Sequence, residues 1–383
     1  MNLLYKILYA AHASGTHHKI ALRALAEIKA PEAERWRRVF LAHAVDFMEG
    51  AKAPDKDFKD FQNHVLHPGH GHGPDWGGAA EAAEDWYANT VDALRRGAFA
   101  DAAYSAGVLS HYYSDVWMPL HTASSEEETV IHRALEWSAS RAFEQLWAER
   151  PRVEVVIEPT PDWLTRMVRH AAYSSNASYD ALIQGYDFDV GAKRPAEGLT
   201  RPARLICARM LSAAVAGVAR IYDRALAEAG GAPPNVDLTV STALAGLGAP
   251  ISRVLAKIED LGARAEVARI HRELRVTGGV ESALPLEQRI VRGLSPRRRF
   301  GPDAAELGPT VAPPSAADAA PRRDPAAGRA SGLARAAQGA DALIREPAFE
   351  KTALDHALQR AILATPVSAA AERAAPPATL RAD

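Results

Sequence analysis

Apolar residues recur at three- and four-residue intervals along most of the chain, and alanine fills many of the positions between them. This period is that of amphipathic helices, whereas the alternating β-branched runs typical of strands are almost absent. One strand-like run, VEVVI at 153–157, is too short to make a sheet and is expected to link helices in extended form. The pattern predicts an all-α protein. The clearest helices are expected at 18–28, 32–48, 76–96, 101–117, 126–150, 161–174 and 201–229.

Composition divides the chain into four predicted parts. Residues 1–232 hold the clearest helices and end at a Gly-Gly pair, which is a strong helix stop. Residues 233–295 regain apolar residues at helical spacing and are expected to form a helical extension. Residues 296–339 are rich in Pro, Ala, Arg and Asp with few large apolar residues, which predicts a disordered linker. Residues 340–383 are expected to form a short helix and a flexible tail.

Charge and cysteine content narrow the function classes. The 47 acidic and 45 basic residues nearly cancel, so the whole chain does not have the charge of an electrostatic nucleic-acid binder. Cys207 is the single cysteine, which excludes an intrachain disulfide framework and a multi-thiolate zinc site. A metal site in this sequence would therefore rely on His, Asp and Glu.

No run of the sequence reaches the roughly 20 apolar residues that a membrane-spanning helix needs, so no transmembrane segment is predicted. Residues 1–11 contain one Lys and a short apolar run, but no long apolar region followed by a small-residue cleavage site. This favours a cytoplasmic location, although a shortened start would hide an export signal.

The histidines are distributed unevenly, since ten of the fourteen fall between His12 and His121. The most specific segment is AGVLSHYYSDVWMPLHT, in which His111 and Asp115 are four residues apart. That spacing places both side chains on one face of a helix. Pro119 is expected to end this helix, and His121 follows just beyond the last turn.

A second His and carboxylate pair, His132 and Glu136, repeats the four-residue spacing on the next predicted helix. Imidazole and carboxylate are the usual zinc ligands when thiolates are absent, and helical bundles build metal sites from such inward-facing pairs. Upstream, Asp55 follows a proline in a predicted loop, His64 begins the element HVLH, and His17 or His18 opens a helix.

The order and spacing of these motifs resemble the zinc-dependent phospholipase C family, which shares its all-helical fold with the fungal single-strand-specific nucleases. The motifs cover about residues 17–136, and the helices to residue 229 would complete a phospholipase C/nuclease-type bundle. The resemblance implies two or three zinc ions held by eight side chains. Asp55, His64, His111 and Asp115 would surround one zinc, Asp115 and His17 would hold a second, and His121, His132 and Glu136 a third. It also makes Asp55 the candidate base that activates or orients the attacking water.

The sequence departs from the family in two places. Secreted members use a processed N-terminal tryptophan as a metal ligand, whereas no Trp lies upstream of His17. Either His12 or His18 replaces that ligand, or only two ions bind. The interval from Asp55 to His64 is also short for the family, which leaves His67 as an alternative ligand.

Closely spaced metal ions can activate water and stabilise a leaving alkoxide, so no protein nucleophile is required, and no nucleophile elbow, P-loop or dinucleotide fingerprint occurs in the sequence. The leading hypothesis is a metal-dependent hydrolase of phosphodiester bonds, with a phospholipid headgroup as the expected substrate. The first alternative is a nuclease or nucleotidase on the same fold, with nucleic acid as a substrate. The second is a non-catalytic metal-binding scaffold.

Overall fold

The computed structural model describes residues 3–70, 73–238 and 249–294. Within these ranges the regular elements are helical, apart from two isolated β-bridges, which confirms the all-α prediction. Three short helical turns, Pro54–Phe58, Phe61–His64 and Pro119–His121, lie between the longer helices. The helices are α1 (Leu3–His12), α2 (Thr16–Glu27), α3 (Ala33–Ala42), α4 (Ala44–Ala53), α5 (Ala79–Arg95), α6 (Phe99–Asp115), α7 (Glu126–Glu149), α8 (Trp163–Asn176), α9 (Tyr179–Gln184), α10 (Phe188–Gly191), α11 (Pro195–Gly198), α12 (Arg201–Ala229), α13 (Ala249–Thr277) and α14 (Leu286–Leu294).

Most predicted helices are present with bounds shifted by one to three residues, but the single helix expected at 32–48 is wrong. The backbone leaves helical geometry at His43, with φ −107° and ψ 33°, so α3 ends there and α4 starts in a new direction. Asp55 was also expected in a loop, whereas it lies in the π-helical turn Pro54–Phe58 that continues α4. The run at 153–157 belongs to neither a helix nor a strand.

Helix α6 is the centre of the core. Every residue from Ala102 to Asp115 is buried, because α2, α4, α5 and α12 pack around this helix. A helix surrounded in this way needs apolar or small residues on all sides. His111 and Asp115 are therefore polar side chains held in the interior, where an unsatisfied polar group would be costly.

Two glycines let α4 and α6 cross closely. A Cβ atom on Gly107 would lie 2.3 Å from the carbonyl oxygen of Phe47, and one on Gly50 would lie 2.0 Å from that of Tyr104. Any larger residue would push the two helices apart. Because His111 lies one turn after Gly107, this crossing brings the end of α4 against the His111 side chain.

Helix α12 is long and apolar enough to cross a membrane by length and composition alone, and 72% of its most apolar stretch is buried inside the structure. This degree of burial is typical of a core helix, because its apolar face already packs on the rest of the bundle. The observed bounds are the predicted ones.

Helices α13 and α14 occupy the predicted extension and pack on the first part of the chain. Ala263 and Val267 of α13 are buried in the main core, and Ile270 packs in a second small cluster. The boundary at residue 232 stays a prediction. The expected linker at 296–339 and the expected helix and tail at 340–383 lie outside the described residues.

Candidate metal centre

All eight side chains suggested by the sequence pattern lie in three groups of potential metal ligands. In each group one ligand atom from every member lies within 4.8 Å of the others. The groups are His17, Asp55 and His111; His64, His111 and Asp115; and His121, His132 and Glu136. The first two share His111, so they form one continuous site.

The inner cluster, defined here as Asp55, His64, His111 and Asp115, brings histidine nitrogens and carboxylate oxygens close together. His64 Nδ1 lies 2.9 Å from Asp115 Oδ2 and 3.2 Å from His111 Nε2. His111 Nε2 lies 3.2 Å from Asp115 Oδ2 and 3.5 Å from Asp55 Oδ1. Zinc bonds of about 2.0–2.1 Å in a tetrahedron require ligand atoms about 3.3 Å apart. His64, His111 and Asp115 therefore have separations that fit one zinc ion, and Asp55 Oδ1 lies beside them, 3.7 Å from His64 Nδ1.

The inner cluster is assembled from three chain segments. The turn at 54–58 supplies Asp55, and π-helical turns of this kind are frequent at functional sites. The 3₁₀ turn Phe61–His64 supplies His64, and α6 supplies the other two members. Asp55 is the most exposed member, with 54% of its side chain accessible, whereas His111 is fully buried. One side of the cluster is thus open to solvent.

Backbone carbonyls fix the orientation of two histidine rings. His111 Nδ1 lies 2.9 Å from the carbonyl oxygen of Ala51, and His121 Nδ1 lies 3.1 Å from that of His64. A carbonyl oxygen can only accept, so each Nδ1 carries the proton and each Nε2 keeps its lone pair for the cluster. The close α4–α6 crossing supplies the first of these carbonyls.

His64 has the opposite orientation, with Nδ1 facing the inner cluster. Its Nε2 lies 3.7 Å from Asp60 Oδ1, and the other Asp60 oxygen accepts hydrogen bonds from Tyr112 and Asn63 at 2.8 Å. Asp60 thus forms a carboxylate–histidine pair behind the candidate ligand, an arrangement that orients the ring and strengthens its basicity.

His17 faces the second oxygen of Asp115. Its Nε2 lies 3.4 Å from Asp115 Oδ1, its Nδ1 lies 3.1 Å from Ser114 Oγ, and its ring stacks on His111 at 3.8 Å. Asp115 therefore presents one oxygen to the inner cluster and the other to His17. This is the geometry of a carboxylate that can bridge two ions.

The pKa values in and beside the inner cluster depend on burial and on the neighbouring histidines and carboxylates. Burial opposes protonation of His64, but Asp115 and Asp60 outweigh it and raise the pKa to about 9. Burial opposes ionisation of Asp115, yet the nearby histidines hold its pKa well below the ordinary value. For His17, burial and the neighbouring His111 lower the pKa to about 4. His17 is therefore neutral at pH 7, whereas zinc binding at His64 would have to displace the proton that Asp115 and Asp60 favour.

The outer cluster, defined here as His121, His132 and Glu136, is smaller and more accessible. Both His121 Nε2 and His132 Nε2 lie 3.2 Å from Glu136 Oε1. The Nδ1 atom of His132 contacts Glu128 Oε1, so a buried carboxylate orients this ring too. Glu136 has 32% of its side chain exposed. Three ligands and an exposed side leave a fourth coordination position for water or substrate.

The alternative ligands suggested by the sequence lie elsewhere. His18 is buried, with Nδ1 3.1 Å from Ser14 Oγ and Nε2 3.1 Å from the Met48 carbonyl oxygen, so both nitrogens are used within the fold. His67 is outside the three groups, and its buried ring contacts Trp76 at 4.9 Å. The side chain of His12 lies outside the described residues.

Sequence reasoning missed Asp60 and Glu128, the two carboxylates that support ligand histidines. Both lie four residues before their histidine, Asp60 before His64 and Glu128 before His132. The four-residue spacing that revealed the ligand pairs was therefore present for these residues as well.

Both clusters line one cavity of about 1320 Å³. Residues of α13 and α14 line the same cavity, including Glu259, Asp260 and Gln288. The volume is large enough for a drug-sized ligand or a phosphodiester together with its metal ions.

Comparisons with known proteins found a family model and a solved structure to which this chain is similar. Residues 16–182, which include all eight candidate ligands, match the family model described as zinc dependent phospholipase C. The crystal structure of Clostridium perfringens alpha-toxin isolated from avian strain SWCP is similar, with 15% identity, a TM-score of 0.42, and coverage of 55% of this chain and 64% of the toxin chain. This chain therefore spans less than two thirds of that structure. No curated protein sequence matches the chain. Residues 16–182 of this chain are thus similar to the zinc-dependent phospholipase C family.

Proposed function

We propose that the chain is a zinc-dependent phosphodiesterase that hydrolyses the headgroup phosphodiester of phospholipids. The observation that carries this proposal is the inner cluster, in which ligand atoms of His64, His111 and Asp115 have the separations of zinc ligands and the second Asp115 oxygen faces His17. The family match supports both the metal and the phospholipid substrate.

Three bound ions are proposed, one in the inner cluster, one between Asp115 and His17, and one in the outer cluster. Bound zinc would lower the pKa of a water molecule, polarise the phosphoryl oxygen and stabilise the leaving alkoxide. The ion beside His17 has two protein ligands in this arrangement and is expected to bind most weakly.

The protein side chains would position and deprotonate the water. Asp55 is the member of the inner cluster with the largest exposed surface, so its carboxylate can contact both the cluster and a water molecule in the cavity. Enclosure opposes its ionisation, but His111, His17 and His64 keep its pKa below the ordinary value. Asp55 is thus a carboxylate at neutral pH. The water oxygen would bond to phosphorus as the glycerol oxygen leaves, giving diacylglycerol and a phosphorylated headgroup.

The test is elemental analysis of the purified full chain, followed by assays on phosphatidylcholine vesicles, single-stranded DNA and RNA. We expect two or three zinc ions per chain and release of phosphocholine without cleavage of nucleic acid. Cleavage of nucleic acid alone would instead establish a nuclease. Zinc binding without hydrolysis of any phosphodiester would establish a non-catalytic metal protein.

Asp55→Asn tests the proposed base. The matched control is Asp57→Asn, because Asp57 lies in the same turn and outside the three groups of potential ligands. We expect Asp55→Asn to lower turnover by on the order of 10²–10⁴-fold, the usual contribution of a general base, and Asp57→Asn to leave it near wild type. Equal activity of both variants would refute the role of Asp55.

A further inference from the structure

Helices α13 and α14 lie outside the residues that match the family, yet they border the metal-site cavity. Glu259, Asp260 and Glu266 of α13 and Gln288 of α14 line the cavity together with Asp55, His132 and Glu136. The chain therefore adds its own wall to a site whose ligands all lie within residues 16–182.

Two adjacent residues of α13 contact opposite sides of the cavity mouth. Glu259 forms an ion pair with Lys52, which lies near the end of α4. Asp260 Oδ1 accepts a hydrogen bond from Trp137 Nε1 of α7 at 2.9 Å. Because Glu259 and Asp260 are consecutive, α13 crosses the gap between α4 and α7 at this point.

The two contacted side chains stand beside candidate ligands. Lys52 lies three residues before Asp55, and Trp137 directly follows Glu136. The crossing therefore lies between the wall that carries the inner cluster and the wall that carries the outer cluster. Glu259 and Asp260 line the same cavity as both clusters.

Helix α13 contacts the rest of the protein through polar side chains in one part and through buried apolar side chains in another. At the mouth, Lys52 and Glu259 have 36% and 47% of their side chains exposed, and exposed ion pairs contribute little to stability. Further along, Ala263 and Val267 are buried in the main core, which fixes that part by apolar contacts. The part held by polar contacts, including the hydrogen bond from Trp137 to Asp260, and the part held by apolar contacts meet at Gly262.

Gly262 allows bending at this junction. A glycine inside a helix weakens it relative to alanine because the backbone gains freedom when unfolded. A Cβ atom on Gly262 would meet nothing within 4 Å, so the helix packing does not require glycine at this position.

We propose that residues 257–262, the gate segment, distinguish soluble phosphodiesters from phospholipids in a bilayer. The gate segment must swing away from Lys52 before a bilayer phospholipid reaches the clusters. The proposal rests on the proposed function. A soluble phosphodiester can diffuse into the cavity beside the closed gate segment. A bilayer phospholipid is anchored by its acyl chains, so the mouth itself must open toward the lipid surface.

The test compares the rates on phosphatidylcholine vesicles and on bis(p-nitrophenyl) phosphate for the zinc-loaded full chain. The variants are Lys52→Glu, Glu259→Lys and the double variant that carries both changes. We expect each single variant to raise the vesicle-to-soluble rate ratio about three- to fivefold, because like charges replace an exposed ion pair. The double variant re-forms the pair with exchanged charges, so it should restore the wild-type ratio.

The opposite charges of the two single variants provide an internal control. A direct electrostatic effect on the anionic substrate would move the ratio in opposite directions, whereas opening of the gate segment moves it in the same direction. The hydrogen-exchange rate at residues 257–262 should increase in both single variants and return to the wild-type rate in the double variant. Gly262→Ala should lower the ratio, because it stiffens the helix without a clash.

Opposite effects of the two single variants, or no recovery in the double variant, would overturn the gate proposal while leaving hydrolysis intact. Failure of the zinc-loaded wild type to hydrolyse either substrate would contradict the proposed function and, with it, the gate. The soluble substrate thus separates the two failures.

Discussion

The inner and outer clusters use the same ligand chemistry in different surroundings. The inner cluster has four members from three chain segments around the central helix α6, and its histidines are buried. The outer cluster has three members, and its Glu136 faces the cavity. Ligand number and burial both favour tighter metal binding in the inner cluster. The difference indicates a permanently held inner ion and a more exchangeable outer one.

The largest expected effect comes from His111→Ala, because His111 belongs to two of the three ligand groups. We expect loss of the inner ion and of the ion beside His17, and a decrease in turnover on the order of 10³-fold, the scale of several kcal/mol of transition-state stabilisation. Elemental analysis and turnover measure both effects. His132→Ala is the control in the other cluster, since it should remove the outer ion and leave inner zinc bound. Loss of every ion in both variants would contradict independent clusters.

The next largest effect is expected in the rates at which a chelator removes zinc from the two clusters. We expect a chelator to remove zinc from the chain in resolved phases, with the outer ion leaving before the inner one. The physical reason is that the outer cluster has three ligands and partly exposed histidines, whereas the inner cluster has four candidate ligands and buried histidines. His132→Ala should abolish the phase assigned to the outer ion. A single phase for all of the zinc in the wild type would refute the distinction.

A smaller effect is expected from the carboxylates behind the ligands. Asp60→Asn and Glu128→Gln should each weaken zinc binding at one cluster by about 10- to 100-fold, the usual range for such supporting groups. Competitive zinc titration measures this change. Tyr112→Phe is a milder control, because it removes one hydrogen bond to Asp60 and keeps the carboxylate. If each substitution weakened zinc binding at the other cluster, or at neither cluster, these carboxylates would not orient their histidines.

The smallest expected effect is a local response to acid in the turn that follows α13. Glu273 of α13 accepts hydrogen bonds from the backbone of Glu281, Ser282 and Ala283, and these bonds lower its pKa to about 2. Because the pKa of Glu273 is lowered from its ordinary value of 4.5, the ionised side chain stabilises this turn fully when the pH is above 4.5. The stabilisation is lost as the pH falls toward 2. Hydrogen exchange at Ser282 and Ala283 should rise between pH 5 and 2.5 after correction for intrinsic rates.

Glu273→Gln is the control for this response. It should raise exchange in the turn at pH 5 and remove most of the difference between the two pH values. The inner cluster should be unaffected by the substitution. An unchanged pH response in Glu273→Gln would assign the effect to other groups.

Local spacing in the sequence was enough to predict the helical class and the ligand candidates. His111 and Asp115, like His132 and Glu136, lie one turn apart on single helices, so their proximity follows from helix geometry. The order of the motifs in the sequence also indicated the similarity to the zinc-dependent phospholipase C family.

Features that depend on tertiary contacts could not be predicted in this way. The break at His43 depends on how α3 and α4 pack, since neither proline nor glycine marks it. The function of Asp60 depends on Tyr112, which lies 52 residues away in the sequence. The contact of Glu259 with Lys52 spans 207 residues, so no local pattern could place α13 beside the cavity.

The most direct test of the central claim is anomalous diffraction at the zinc edge from crystals of the full chain grown with zinc. We predict one peak bonded to His64 Nδ1, His111 Nε2, Asp55 and Asp115 at about 2.0–2.2 Å, and a separate peak among His121, His132 and Glu136. An anomalous map with no peak at the inner cluster of zinc-treated, folded protein would contradict the account.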